Sequence, residues 1–318
     1  MKFASILAIL TAAAASAQTL LVLNKEGSLA IVDPNAREVL GTVRTGDQPH
    51  EVAASADGKL AFVSNYGGGG AAGGKTLSVI DIPGRKEIHR VDLTPLSRPH
   101  GVWAVNGKCY FTAEANKVIG RYDPDTNQVD TIIGTGQNTT HMVLGLPDES
   151  RLFTSNIGSD SITLIDRAGV GNWNETVVPV GKGPEGFDLS PDGRQLWAAN
   201  SQDGTISIID LATKSVVNTI RVQTQRSNRL KFSPDGRLVL ISDLSAGEVL
   251  ILERSTRREL KRMKLGRQPA GILITPDSSR AYVAVTGDDN VAVIDLKTLE
   301  LADRLKTGAG PDGMAWIP

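Results

Sequence analysis

The chain has 318 residues, a formal net charge of −1, four histidines and one cysteine. A balanced charge gives no general reason to expect nucleic-acid or anionic-membrane binding. A lone Cys109 excludes an internal disulfide, and the absence of C-x-x-C-H excludes a covalently attached c-type haem.

Residues 1–17 read as a signal peptide: Lys2, a short apolar run over residues 3–10, and Ala15-Ser16-Ala17 as the cleavage site. The mature chain, 18–318, is expected to begin at Gln18 and to be exported, periplasmic or secreted. No later stretch is long and apolar enough for a membrane span. LLVLN, SLAIVD and EVLGTV then read as three strands.

From Pro49 onward one phrase recurs: Pro-x-Gly, a strand, Ser-Pro-Asp-Gly, a strand ending in Asn, and Val-x-Val-Ile-Asp. Its clearest copy is GPEGFDLSPDGRQLWAANSQDGTISIID, residues 183–210. The Pro-x-Gly slot begins at Pro49, Pro99, Thr140, Pro184, Ser227, Pro269 and Pro311, at spacings of 41 to 50 residues. Strand-and-turn repeats of that period are the signature of a β-propeller. Each unit holds four strands, in the fourth copy GFDLS, QLWAAN, TISIID and SVVNTIRV. Asp-Gly pairs such as Asp57-Gly58 and Asp192-Gly193 mark tight turns. After the last slot only GMAWIP remains, so the three N-terminal strands are expected to complete blade seven and close the ring, leaving no open sheet edge. The reading is an all-β, seven-bladed propeller with four-stranded blades, one domain over 18–318, monomeric.

In blade one, residues 69–76 spell a literal G-x-x-x-x-G-K-T. A phosphate cradle needs a helix at its Lys-Thr, whereas TLSVID is a strand, so no nucleotide is expected and the loop reads as a flap at the channel mouth. KCYFT places Cys109 in a strand as a buried, inert thiol. Asn138-Thr139-Thr140 and Asn174-Glu175-Thr176 are glycosylation sequons, relevant only in a eukaryotic source. The basic run over 254–267 maps to the outermost strand of blade five, where Lys and Arg discourage edge-to-edge pairing.

The middle residue of the slot reads His50, His100, His141, Glu185, Asn228, Ala270 and Asp312 around the ring. Three of four histidines therefore share one position on consecutive blades; His89 falls outside it, as a surface residue. Imidazoles with a carboxylate suit zinc, copper, iron or manganese, and inherited turn chemistry is the alternative. His50, His100 and His141 are the candidate metal ligands. A second ring, at the end of each second strand, is read as Asn24, Asn65, Glu114, Asn156, Asn200, Asp243 and Thr286, with Asn bonding its own turn and Glu114 as the exception. Glu114 and Glu185 are the candidate catalytic carboxylates. Glu51 and Arg229 replace the residue after the slot, and Arg229 is expected to hold a substrate carboxylate. With Tyr66 at the rim and Asp312, they complete the candidate ligand site.

Ser-Pro-Asp-Gly followed by FVSN, FTSN or WAAN and by Val-x-Val-Ile-Asp resembles the YVTN-repeat seven-bladed propellers, over essentially all of residues 18–318. At fold level it also resembles the lactonase-like and haem d1 propellers. The resemblance implies the fold and leaves function open between three readings. One is binding of a small polar ligand or divalent metal at the channel mouth. Another is a metal-assisted, lactonase-like hydrolase or lyase at the same site. The third is a surface that engages a partner protein without chemistry.

Overall fold

The computed structural model describes residues 18–68 and 73–317. The expected signal peptide and the centre of the glycine-rich loop lie outside these residues. Seven four-stranded antiparallel sheets form the ring. Blades one to six occupy residues 49–92, 99–134, 140–179, 184–221, 227–264 and 269–305. Blade seven joins the three strands of 19–44 to Pro311–Ile317, which pairs as its innermost strand with Thr19–Asn24. Closure by both termini is therefore as the sequence implies.

Burial follows the radial position of each strand. Thr205–Asp210, third in blade four, is buried on both faces, whereas the outermost strand, Ser215–Arg221, alternates exposed and half-buried. Among the described residues the apolar core falls into seven clusters, each shared by two neighbouring blades. Trp197, Ile206 and Ile208 of blade four, for example, pack on Leu230, Phe232 and Val239 of blade five, and Leu21, Leu29 and Ile31 of blade seven on Val52, Ala61 and Val63 of blade one. No blade can bury its inner faces alone, so closing the ring completes the core.

Every innermost strand shifts register at the slot. In blade three the pairing skips between Thr140 and Val143, in blade four between Pro184 and Phe187, and in blade five between Ser227 and Leu230. A bulge breaks the alternation of side chains and re-aims them. It lets two successive residues, the slot and its follower, both address the channel. Cys109 is buried, its thiol pushed well above the ordinary value by burial, and His89 is exposed. No helix among the described residues is long and apolar enough to cross a membrane.

Candidate functional site at the channel mouth

In four of the seven blades a hydroxyl on the second strand anchors the slot of the next blade. On the second strand of blade two, Thr112 Oγ1 accepts from the Gly101 N–H at 2.9 Å and donates to the carbonyl of His141 at 2.7 Å. Ser64 does the same between Glu51 and His100, and Ser155 between Met142 and Glu185. These hydroxyls satisfy the N–H freed by the bulge and fix the next blade's slot backbone. They were legible as the Ser or Thr two residues into FVSN, YFTA and FTSN, but nothing in one blade's sequence shows that they reach the next.

One level below the slot, the followers fill the channel. Glu51, Met142 and Arg229, from blades one, three and five, are the large ones; the other four blades carry Gly101, Gly186, Gly271 and Gly313. A Cβ on Gly186 would lie 2.6 Å from Cα of Arg229, and one on Gly101 2.7 Å from Cα of Met142. Each bulky follower thus needs a glycine beside it. Across the channel the Arg229 guanidinium is hydrogen-bonded to the Glu51 carboxylate and reaches Met142 Sδ at 3.5 Å. Both charged residues are buried. Arg229 is thus paired with a carboxylate 178 residues away while it also lines the cavity above, and Glu51 lies outside the residues that line it.

Above this plug opens a cavity of about 590 Å³ lined by His50, His100, His141, Glu114, Glu185, Tyr66, Arg229 and Asp312, among others. His141 Nδ1 meets Glu114 Oε1 at 2.5 Å, and Tyr66 donates its hydroxyl to Glu114 Oε2 at 2.8 Å. The His100 and His141 rings stack with centroids 3.7 Å apart. His100, Glu114 and His141, all buried, have ligating atoms within 4.8 Å of one another. His50, its ring 4.9 Å from that of His100, turns instead to Asp312, 3.5 Å from its Nδ1. Glu185 accepts from Asn228 Nδ2 at 2.5 Å.

Burial and charge set opposite protonation tendencies here. Burial pulls His50 down to about 4 against the attraction of Asp312, and holds His100 well below the usual imidazole range, with the neighbouring imidazoles adding to it. His141 is also opposed by burial, yet its bond to Glu114 carries it above the ordinary value. Burial and then Glu114 push the Tyr66 phenol up to about 12. Burial works against the Asp312 carboxylate, but Lys25, His50 and Arg229 hold it below its ordinary value. His100 Nδ1 and His141 Nε2 are buried without any partner among the described residues.

At two of its seven positions the second ring stands one residue earlier than the sequence frame places it. Pro99 pairs with Ala113 and Pro269 with Val285, so these, not Glu114 and Thr286, are equivalent to Asn65 and Asn156. The asparagines are structural, as Asn200 donating to Thr205 and Ser207 illustrates. Glu114 stands in the next position, with Lys25, Tyr66, Ile157, Ser201 and Leu244, all of which line the cavity. Lys25, bonded to Asp312 at 3.0 Å, was missed because the frame stopped at Asn24.

Residues 169–312 match the model of the YNCE-like beta-propeller family. Over those residues the chain is similar to propellers of that type. Two sequence relatives are "Antigen Lp49" of Leptospira interrogans, 24% identical over 30% of this chain and 21% of its own length, and "Uncharacterized protein YncE" of Salmonella typhimurium, 23% identical over 52% and 47%. The chain thus spans less than half the length of these relatives. A solved structure described as a putative 6-phosphogluconolactonase of Bacteroides fragilis superposes with a TM-score of 0.79 and 18% identity, over 96% of this chain and 100% of that one. That likeness is one of fold.

Proposed function

We propose that the channel mouth binds a divalent transition metal through His100 and His141, and that the metal presents a small polar ligand to the cavity. What carries this reading is the pair of buried, unpartnered nitrogens, His100 Nδ1 and His141 Nε2. An unsatisfied buried polar atom costs about 1–3 kcal/mol, so two stacked together call for a partner that is a Lewis acid or a donor. Glu114 on the other nitrogen of His141 is the arrangement that fixes a ligating imidazole's tautomer and orientation. Zinc would need nitrogens at about 2.0–2.1 Å, so the 4.8 Å spread of donor atoms must contract by side-chain rotation. His50 and Glu185 are the nearest further donors.

The test is metal content of untagged protein after dialysis against zinc, followed by chelator treatment. One zinc per chain, lost in both His100→Ala and His141→Ala, is the expected result. Protein that retains no zinc and whose melting temperature ignores both zinc and chelator would overturn the reading.

A second reading is hydrolysis of a lactone or ester, favoured by the same Tyr66–Glu114–His141 chain. A carboxylate-held imidazole with its other nitrogen free, and with a raised affinity for protons, is placed to act as a general base toward water. Turnover of lactones that vanishes in His141→Ala and Glu114→Gln is expected if chemistry occurs; turnover indifferent to both would remove it. We further propose that the chain is exported, which N-terminal sequencing of secreted protein beginning at Gln18 would support.

A further inference from the structure

The mouth cavity does not end at the imidazoles. It continues into a groove of about 660 Å³ between blades five and six, and Lys25, Arg226, Leu244 and Ser245 line both spaces. Charge is sorted along this continuous cleft. Its deep part holds the carboxyl groups of Glu114, Glu185 and Asp312, whereas the ionisable residues of the outer groove, Lys25, Arg226 and Arg267, are all basic. Two of these bases are already engaged, Lys25 with Asp312 at 3.0 Å and Arg267 with Asp288 at 2.6 Å. Arg226 is exposed, and its guanidinium has no partner among the described residues.

Its position is nevertheless built. Blade five carries Asp243 where blades one, three and four carry asparagine. One Asp243 oxygen accepts from the Gln225 N–H at 2.6 Å; the other accepts from the N–H groups of Arg226, Ser245 and Ala246 at 3.0, 3.2 and 3.0 Å. Asparagine, with a single acceptor oxygen, could not make that set. A single buried carboxylate thus ties together the two loops that wall the groove and presents Arg226 between them. A planar guanidinium without a protein partner, on a loop held in place, matches a carboxylate or phosphate through paired hydrogen bonds.

We propose that Arg226 receives the anionic group, carboxylate or phosphate, of an elongated ligand whose other end enters the imidazole cavity. The inference rests on reading the mouth as a ligand site, and it does not require the metal.

Calorimetry at low salt with glutarate against glutaramide, and with glycerol 3-phosphate against glycerol, tests it and separates the two anion chemistries. At least one anion should bind where its neutral counterpart does not. Arg226→Ala should weaken that binding by about tenfold or more, and Arg226→Lys by less. Asp243→Asn should weaken it through the loosened loop, while Arg254→Ala, on the far side of blade five, should leave it unchanged. Zinc uptake, measured in parallel, should be the same in Arg226→Ala as in wild type. Anion binding that is identical in Arg226→Ala and wild type, or no preference for either anion over its neutral partner, overturns the proposal. Loss of zinc uptake in the wild type with Arg226-dependent anion binding intact would sink the metal reading alone.

Discussion

Two rings of side chains lie one residue apart on the same seven strands and obey opposite rules. In the lower ring Glu51, Met142 and Arg229 meet across the channel, each beside a glycine of the preceding blade, with the charges paired. In the upper ring His50, His100, His141, Glu185 and Asp312 face a cavity, and two imidazole nitrogens have no partner among the described residues. The backbone is the same bulge in both. A propeller channel can therefore be sealed for stability at one level and kept chemically unsatisfied at the next, because the bulge turns consecutive residues inward.

The comparison breaks most visibly from below. Arg229→Met leaves Glu51 buried without a counter-ion and should cost about 3–5 kcal/mol, read by urea denaturation; pairing it with Glu51→Leu should restore most of the loss. A single variant as stable as wild type would show that the pair does not seal the channel. Gly186→Ala comes next, because its Cβ would sit 2.5 Å from the Asn228 carbonyl oxygen. A loss of about 1–3 kcal/mol is expected from overpacking, and a melting temperature equal to wild type would remove the large-against-glycine rule.

In the upper ring the effects should shift from stability to binding. Glu114→Gln should fold normally yet lower zinc affinity by about 10–100-fold, since it alters only the group that orients His141. A large drop in melting temperature with zinc affinity unchanged would make Glu114 structural.

The smallest effect is one of pH. His50, at about 4, and His100, lower than usual, both bind protons less readily in the folded chain than in the unfolded one, where imidazole titrates near 6.5. As pH falls below about 6.5 the unfolded chain gains protons that the folded one refuses, so these two groups destabilise the fold on acidification. His141 has the opposite sign: its contribution is full below about 6.5 and is lost as pH rises through its raised folded value. Because the His141 contribution is already full in that range, the melting temperature should decline from about pH 6.5 to about 5, and His50→Gln should flatten that decline. An unchanged slope in His50→Gln would contradict the burial of this imidazole.

Much of this architecture was written in the chain. A period of 41 to 50 residues, a lone strand left over after Pro311 and three before Pro49 determine a closed seven-bladed ring, because strands that bury both faces need neighbours on each side. The recurrence of histidine in one slot also marked the mouth, since repeats place equivalent residues at equivalent depths. Tertiary structure decided what those residues do. Glu114 lies one residue past the strand end, a place fixed by the pairing of Pro99 with Ala113, because blade two lacks the asparagine that marks the frame in blades one, three, four and seven. The pairing of Arg229 with Glu51 joins residues from blades on opposite sides of the channel, and no local pattern encodes which charges a closed ring will bring together. Repetition in sequence determines where a side chain stands; only the curvature of the assembled ring determines what it faces.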